Sequence, residues 1–315
     1  MACRNWNRNA NYPTTGKSLI HVFVTGSESF VGKELLRQCD SRGVAVTGID
    51  VRGGGRADCA IADIRSPDLA TQIPLGVDAV IHLAALSRDA DCRERAYECF
   101  DVNVMGTLNV MRAAQQRAAK QFIFASSEWV YDSFDSERRK SEDDPVDIAK
   151  LDSEYAISKL VCEANLRQQH RRGFCPVAIL RFGIIYGPRL ENWSAVESIL
   201  NAVATRDEVT VGALSSGRHF IHVADIADAI LASVGLPGFQ VLNVQGRDLI
   251  TLGQIAEVAK ALLGRNPRIV EKSPGDFNRR PVSSRLAQSV LGWQAQVGLE
   301  AGLKSVVEFW EAEST

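Results

Sequence analysis

From residue 19 onward the chain alternates two textures. Short, almost wholly apolar runs rich in Val and Ile recur at residues 19–25, 44–49, 59–61, 79–84, 121–125 and 176–181. Apolar runs of that length without polar alternation are the mark of strands buried on both faces, as in a parallel sheet. Between them, residues 31–41, 92–119 and 153–172 carry apolar positions at helical spacing. Strands alternating with helices over this length predict an α/β fold with a doubly wound parallel sheet. After Gly187-Pro188 the elements shorten and loops multiply, and residues 264–281 are rich in Pro and Gly, which predicts a smaller C-terminal lobe. Residues 220–236 read as a return to the flank of the main sheet. The expected organisation is a polar arm (1–18), a sheet domain (19–182, with a return segment at about 218–236) and a smaller lobe (183–217 and 237–315). There are no internal repeats and no low-complexity tracts.

Composition narrows the function classes. Hydrophobic residues make up 45% of the 315, enough for a large core, and the formal net charge of -2 leaves no electrostatic footprint for nucleic acid or an anionic membrane. The seven cysteines are scattered and form no CxxC pair, so neither a disulfide framework nor a metal site is expected. A reduced, cytoplasmic setting follows. The first 18 residues lack the apolar stretch of a signal peptide, and no later apolar run reaches the ~18 to 20 residues of a membrane span.

The first strand runs into Thr25-Gly26-Ser27-Glu28-Ser29-Phe30-Val31-Gly32, with a helix directly after it. Glycines at such a junction permit a tight turn and let backbone N–H groups approach a pyrophosphate at a helix N-terminus. Gly26, Ser29, Phe30, Val31 and Gly32 are therefore candidate dinucleotide contacts. Asp50 ends the next strand about 20 residues on, where a carboxylate accepts both ribose hydroxyls of NAD and repels the 2′-phosphate of NADP. Arg52, two residues later, leaves NADP open as an alternative. Asp63-Ile64 follows the third strand, at the position expected beside the adenine.

Tyr155-Ala156-Ile157-Ser158-Lys159 sets a phenol and an ammonium four residues apart on one helix face. The ammonium, with the charge of oxidised nicotinamide, is expected to lower the tyrosine's pKa, so that a phenolate takes a proton from a sugar hydroxyl as hydride leaves the same carbon. Ser127 closes the fifth strand at the carboxyl edge of the sheet, where its hydroxyl would orient the reacting oxygen.

These pieces together resemble the extended short-chain dehydrogenase/reductases, the sugar-nucleotide epimerases and dehydratases on a Rossmann sheet. The resemblance covers about residues 20–293. It rests on TGSESFVG, Asp50, Asp63-Ile64, His82-Leu83-Ala84-Ala85, Asn103-Val104-Met105-Gly106-Thr107, Ser126-Ser127 before Val130-Tyr131, YAISK, LRFGIIYGPR and RHFIHVADIADAI. It implies a catalytic tetrad of Asn103, Ser127, Tyr155 and Lys159, with Leu83, Ala84 and Ala85 lining the NAD site. It also implies a nucleotide-sugar substrate held by Ser87, Arg218 and Arg280, and a homodimer built on a four-helix bundle. Arg218 matches the arginine that grips the substrate diphosphate.

The sequence departs from the family at Ser29 (the middle loop glycine), Asp132 (glycine), Ile184 (asparagine) and His219 (aspartate). The change at Ser29 is expected to weaken cofactor binding or shift the loop. Glu128-Trp129 stands where the dehydratases carry an Asp-Glu acid–base pair, so only one acid of the pair is present. Glu128 is read as structural or substrate-positioning, with protonation of a leaving hydroxyl as the catalytic alternative. The favoured activity is C4 epimerisation through a 4-keto intermediate. The alternatives are a dehydratase or reductase/dehydrogenase and, in another class, a non-catalytic NAD-sensing regulator. His82 reads as a packing residue, Cys92 and Cys99 as core or interface residues, and 137–140 as a solvated loop.

Overall fold

The computed structural model describes residues 20–131, 134 and 138–313. The arm expected at 1–18, Asp132, and Glu137 of the charged run lie outside the described residues.

In chain order the elements are β1 (His21–Thr25), α1 (Phe30–Arg42), β2 (Ala45–Asp50), β3 (Cys59–Ile61), β4 (Ala79–His82), α2 (Asp89–Cys92), α3 (Ala96–Phe100), α4 (Gly106–Gln116), β5 (Phe122–Ser127), α5 (Glu154–Arg171) and β6 (Val177–Phe182). There follow β7 (Ile185–Tyr186), α6 (Ala195–Thr205), β8 (Glu208–Val211), β9 (Gly217–Arg218), β10 (Ile221–His222), α7 (Val223–Ala232) and β11 (Phe239–Val244). The chain closes with β12 (Ile250–Thr251), α8 (Leu252–Leu263), β13 (Arg268–Glu271), α9 (Arg285–Leu291) and α10 (Leu299–Glu313).

Seven parallel strands form the main sheet in the order β11-β6-β5-β4-β1-β2-β3. Strand periodicity sends Val22 and Val24 into the core on one face and Phe23 into the core on the other, all three at 0% exposure. The chain moves outward from β1 through β2 and β3, then crosses to β4 on the other side. The gap between the carboxyl ends of β1 and β4 is thus the topological switch point, the crevice where such sheets bind ligands.

Two expectations are corrected. The helix expected over 92–119 is broken into α2, α3, a π-helical turn at Asp101–Met105 and α4. Glu94 adopts a left-handed φ of 59°, which no helix continues through. The sheet also gains β11 from the segment assigned to the lobe. Among the described residues this edge strand pairs only with β6, and its Gln240 and Asn243 interrupt the apolar run that made the inner strands legible. Within residues 220–236, α7 packs beside α1: Gln38 of α1 donates to the Ala224 carbonyl at 2.8 Å.

The lobe closes around Leu200, Ile255 and Leu303 of α6, α8 and α10. α6 and α8 begin at capping boxes, Ser194 with Glu197 and Thr251 with Gln254. Among the described residues no helix is long and apolar enough to cross a membrane.

Candidate active site

The loop after β1 is shaped by two glycines. Gly26 has φ +76°, and a Cβ there would lie 2.8 Å from the Ala84 nitrogen at the end of β4. A Cβ on Gly32 would run into the Gly26 carbonyl oxygen. Ser29, by contrast, has an ordinary extended backbone (φ -68°), and its hydroxyl accepts from the Gly32 N–H at 3.0 Å. The serine is the N-cap of α1, so its hydroxyl closes the first turn of the helix at the position where the middle loop glycine was missing. The first-turn N–H groups of Phe30 and Val31 have no intrahelical acceptor and face the anion-binding end of the helix.

Asp50 is buried at the end of β2 and accepts from the Glu28 and Arg52 N–H groups, each at 3.0 Å. The Arg52 guanidinium folds back over it, 3.5 Å from the Asp50 carboxylate and donating to the Glu28 carbonyl at 3.0 Å. Arg52 is therefore engaged with the chain's own acid. Asp63 is engaged too: Arg65 donates to its carboxylate at 2.6 Å and to Asp101 at 2.6 Å. Ile64 is buried, and any Cβ on Gly106 would press into its Cδ1 at 2.5 Å.

Behind the loop runs a set of bonds that no sequence pattern marked. The Thr25 hydroxyl lies 2.7 Å from His82 Nδ1, and His82 Nε2 lies 2.9 Å from the Thr107 hydroxyl. Thr107 donates to the Asn103 carbonyl. Burial, with the Lys159 charge nearby, pushes the imidazole down to about 3, so it is neutral at any working pH. Asn103 sits in the π-helical turn. Its side chain clamps the backbone of Leu86, accepting from N–H at 2.8 Å and donating to the carbonyl at 3.1 Å, and it also donates to Ser158 at 3.1 Å. These bonds turn it toward the β4 loop and α5.

α5 starts at the Ser153 cap and presents Tyr155 and Lys159 from one buried face. The Lys159 ammonium donates to the Ala125 carbonyl at 2.8 Å, lies 4.9 Å over the Phe124 ring and is 5.7 Å from the Tyr155 ring centre. Burial lowers its pKa to about 8. Tyr155 moves opposite to expectation: burial pushes it to about 12, opposed by a hydrogen bond with Ser127. The desolvation of the phenol outweighs the Ser127 hydrogen bond, and the Lys159 ammonium is turned to a backbone carbonyl. Cys92 and Cys99 are core residues packed with Tyr155.

Ser127 also caps a one-turn helix (Glu128–Val130), accepting from the Trp129 N–H at 3.3 Å. Glu128 is buried with neither oxygen hydrogen-bonded, and burial raises it to about 7 against the pull of Arg218 and Arg280. Arg218 donates to the Gly217 and Asn278 carbonyls, and burial followed by Arg280 lowers it to about 10. Arg280 stacks 5.5 Å above both the Trp129 and Phe134 rings. Ser87 lies exposed in the loop after β4.

A second network escaped sequence reading. Arg181 of β6 is buried in a two-pronged pair with Glu163 of α5, at 3.0 and 2.7 Å. Glu163 also accepts from Ser126, and Arg181 donates to the Tyr131 hydroxyl at 3.1 Å. It locks α5 to the strands carrying Ser127. Nothing in the spacing of 126, 131, 163 and 181 announces it.

A dinucleotide fits this edge. Two glycines clear the backbone, the first-turn N–H groups of Phe30 and Val31 offer donors, and a buried carboxylate closes β2. The NAD dependent epimerase/dehydratase family model matches residues 22–243. A UDP-glucose 4-epimerase from Mycolicibacterium smegmatis is 28% identical over 94% of this chain and 100% of its own length. UDP-glucuronic acid decarboxylase 1 from Arabidopsis thaliana is 25% identical over 93% of this chain and 70% of its own. Among solved structures, MoeE5 in complex with UDP-glucose and NAD superposes with a TM-score of 0.83 at 27% identity, covering 94% of this chain and 100% of that one. With the family model spanning every strand of the sheet except the edge of β1 and the end of β11, the chain belongs to the NAD-dependent epimerase/dehydratase family.

Proposed function

We propose that the chain epimerises a nucleotide-diphosphate sugar at C4, with Tyr155 as the proton-transfer residue. The observation that carries this is the contact of the Tyr155 and Ser127 hydroxyls at the carboxyl edge of the sheet, with Lys159 one helical turn away. Ser127 bonds the reacting sugar oxygen and orients it. Tyr155 takes the proton of that hydroxyl and later returns it, and Lys159 holds the local positive charge that favours phenolate. Asn103 and His82 position this pair and the loop without touching the reacting atoms. NAD, when bound, supplies the hydride acceptor and donor that no side chain provides. Gly26, Ser29, Phe30, Val31, Gly32 and Asp50 would hold its pyrophosphate and ribose, with Leu83 to Ala85 beside them. Arg52 pairs with Asp50 and does not favour NADP in this reading.

Arg218 and Arg280 suit the substrate diphosphate, since a guanidinium matches phosphate geometry. Trp129, whose indole cannot take a proton from carbon near neutral pH, argues against the dehydratase alternative. A homodimer is part of the same proposal, supported by the exposed Tyr97 and Met105 on the α3–α4 face. So is a reducing compartment, supported by the free Cys39, Cys59, Cys92, Cys99, Cys162 and Cys175.

The test is incubation with NAD and a panel of UDP-, GDP- and dTDP-sugars, resolved by chromatography and mass spectrometry. A new peak of unchanged mass is expected. A loss of water would make the chain a dehydratase, accumulation of NADH a dehydrogenase, and binding without turnover a regulator.

A further inference from the structure

Glu128 is 1% exposed, and both carboxylate oxygens lack a hydrogen-bond partner. A buried carboxylate without donors is costly, and such a group in a cleft marks a place where a ligand brings the donors. Its position narrows which part of a ligand. It directly follows Ser127, whose hydroxyl meets Tyr155, and its charged neighbours are Arg218 and Arg280. Glu128 therefore lies between the reacting end of the site and the two guanidiniums suited to a diphosphate. Two cations answer two phosphates, which leaves the carboxylate to the sugar.

We infer that Glu128 sets the charge class of the substrate: it accepts hydrogen bonds from hydroxyl or amide groups of a neutral nucleotide sugar and rejects nucleotide uronates. The inference rests on the reading of this cleft as a nucleotide-sugar site. A sugar hydroxyl satisfies the orphaned oxygens. A sugar carboxylate instead places two like charges together in a dry site, where one of them must take up a proton. Glu128 titrates near 7, so above that pH the proton must be drawn from solution and rejection is strongest. The charged groups facing it are Arg218 and Arg280 from the lobe side, and Tyr155 of α5 meets the adjoining Ser127.

The test is calorimetric titration of the NAD-loaded protein with UDP-glucose and UDP-glucuronic acid at pH 8, two probes that differ only in the oxidation of C6. The uronate should bind at least about 10-fold more weakly, and Glu128→Gln should shrink that gap to about 3-fold or less, chiefly by gain of uronate binding. Glu128→Ser serves where the glutamine variant fails to melt cooperatively. Equal affinity in the natural protein, a gap unchanged in the variants, or binding of neither sugar would overturn the inference. Product analysis of the same samples separates the two readings. The expected binding order without any isomerised product sinks the epimerase and leaves the charge rule standing. Isomerisation of both sugars with equal affinity does the reverse.

Discussion

His82 Nε2 and the Thr107 hydroxyl lie 2.9 Å apart, and the direction of that bond is fixed by what lies beyond it. Thr107 donates its only proton to the Asn103 carbonyl, so it must accept from His82. The imidazole is then the Nε2–H tautomer, and its Nδ1 accepts from the Thr25 hydroxyl, which in turn accepts from the Ala84 N–H at 3.3 Å. One neutral ring thus ties the glycine loop, the end of β4 and the π-helical turn in a single direction.

Nitrogen-15 correlation spectra of labelled protein should show His82 as a neutral Nε2–H imidazole from pH 5 to 8, without titration, since its pKa lies at about 3. His82→Leu should leave the fold cooperative but raise the KM for NAD more than it lowers kcat. A ring that titrates near 6.5 would refute the relay.

Tyr155→Phe should lower kcat by about 10²- to 10⁴-fold, the usual worth of a positioned acid–base group. The Kd for NAD, measured by fluorescence quenching, should stay within a few fold. A variant of full activity removes Tyr155 from the mechanism.

Asp50→Ala should weaken NAD by roughly 10-fold or more while barely changing NADP, because only the ribose hydroxyls of NAD use the carboxylate. Paired binding titrations with the two cofactors decide it. An unchanged ratio means that Asp50 does not face the ribose.

Glu163→Ala strips the buried Arg181 of its partner and should cost about 3–5 kcal/mol, read by urea denaturation. A loss below 1 kcal/mol would mean that water reaches the guanidinium.

Glu128 makes stability depend on pH in a definite sense. Its folded pKa of about 7 lies above the ordinary 4.5, so the folded state holds the extra proton between those values. The stabilisation is complete below about 4.5 and lost as pH rises through 7. Glu128→Gln should therefore gain stability over the natural protein between pH 5 and pH 8, on the order of 1–3 kcal/mol. A pH-independent difference in melting would place the ionisation of Glu128 outside that window.

Much of this was legible along the chain. The inner strands announced themselves because both of their faces are buried, and the glycine loop because Gly26 and Gly32 have backbone reasons to be glycine. The Tyr155–Lys159 pair was visible because four residues make one helical turn. Ser29 looked like a defect in sequence and is a helix cap in the fold, since capping depends on its φ and on the Gly32 N–H beside it. The edge strand β11 was hidden because half-buried strands tolerate polar residues.

The sequence by itself determined the periodic features: the doubly wound sheet, the loop, Asp50, and the phenol–ammonium spacing. Local geometry repeats along the chain, and so can be read from it. Tertiary structure alone decided the tautomer of His82, the pairing of Arg181 with Glu163, the engagement of Arg52 and Asp63, and the raised pKa values of Tyr155 and Glu128. Each of these depends on which distant residues meet and on how much water is excluded when they do. Neither the meeting nor the exclusion leaves a period in the sequence.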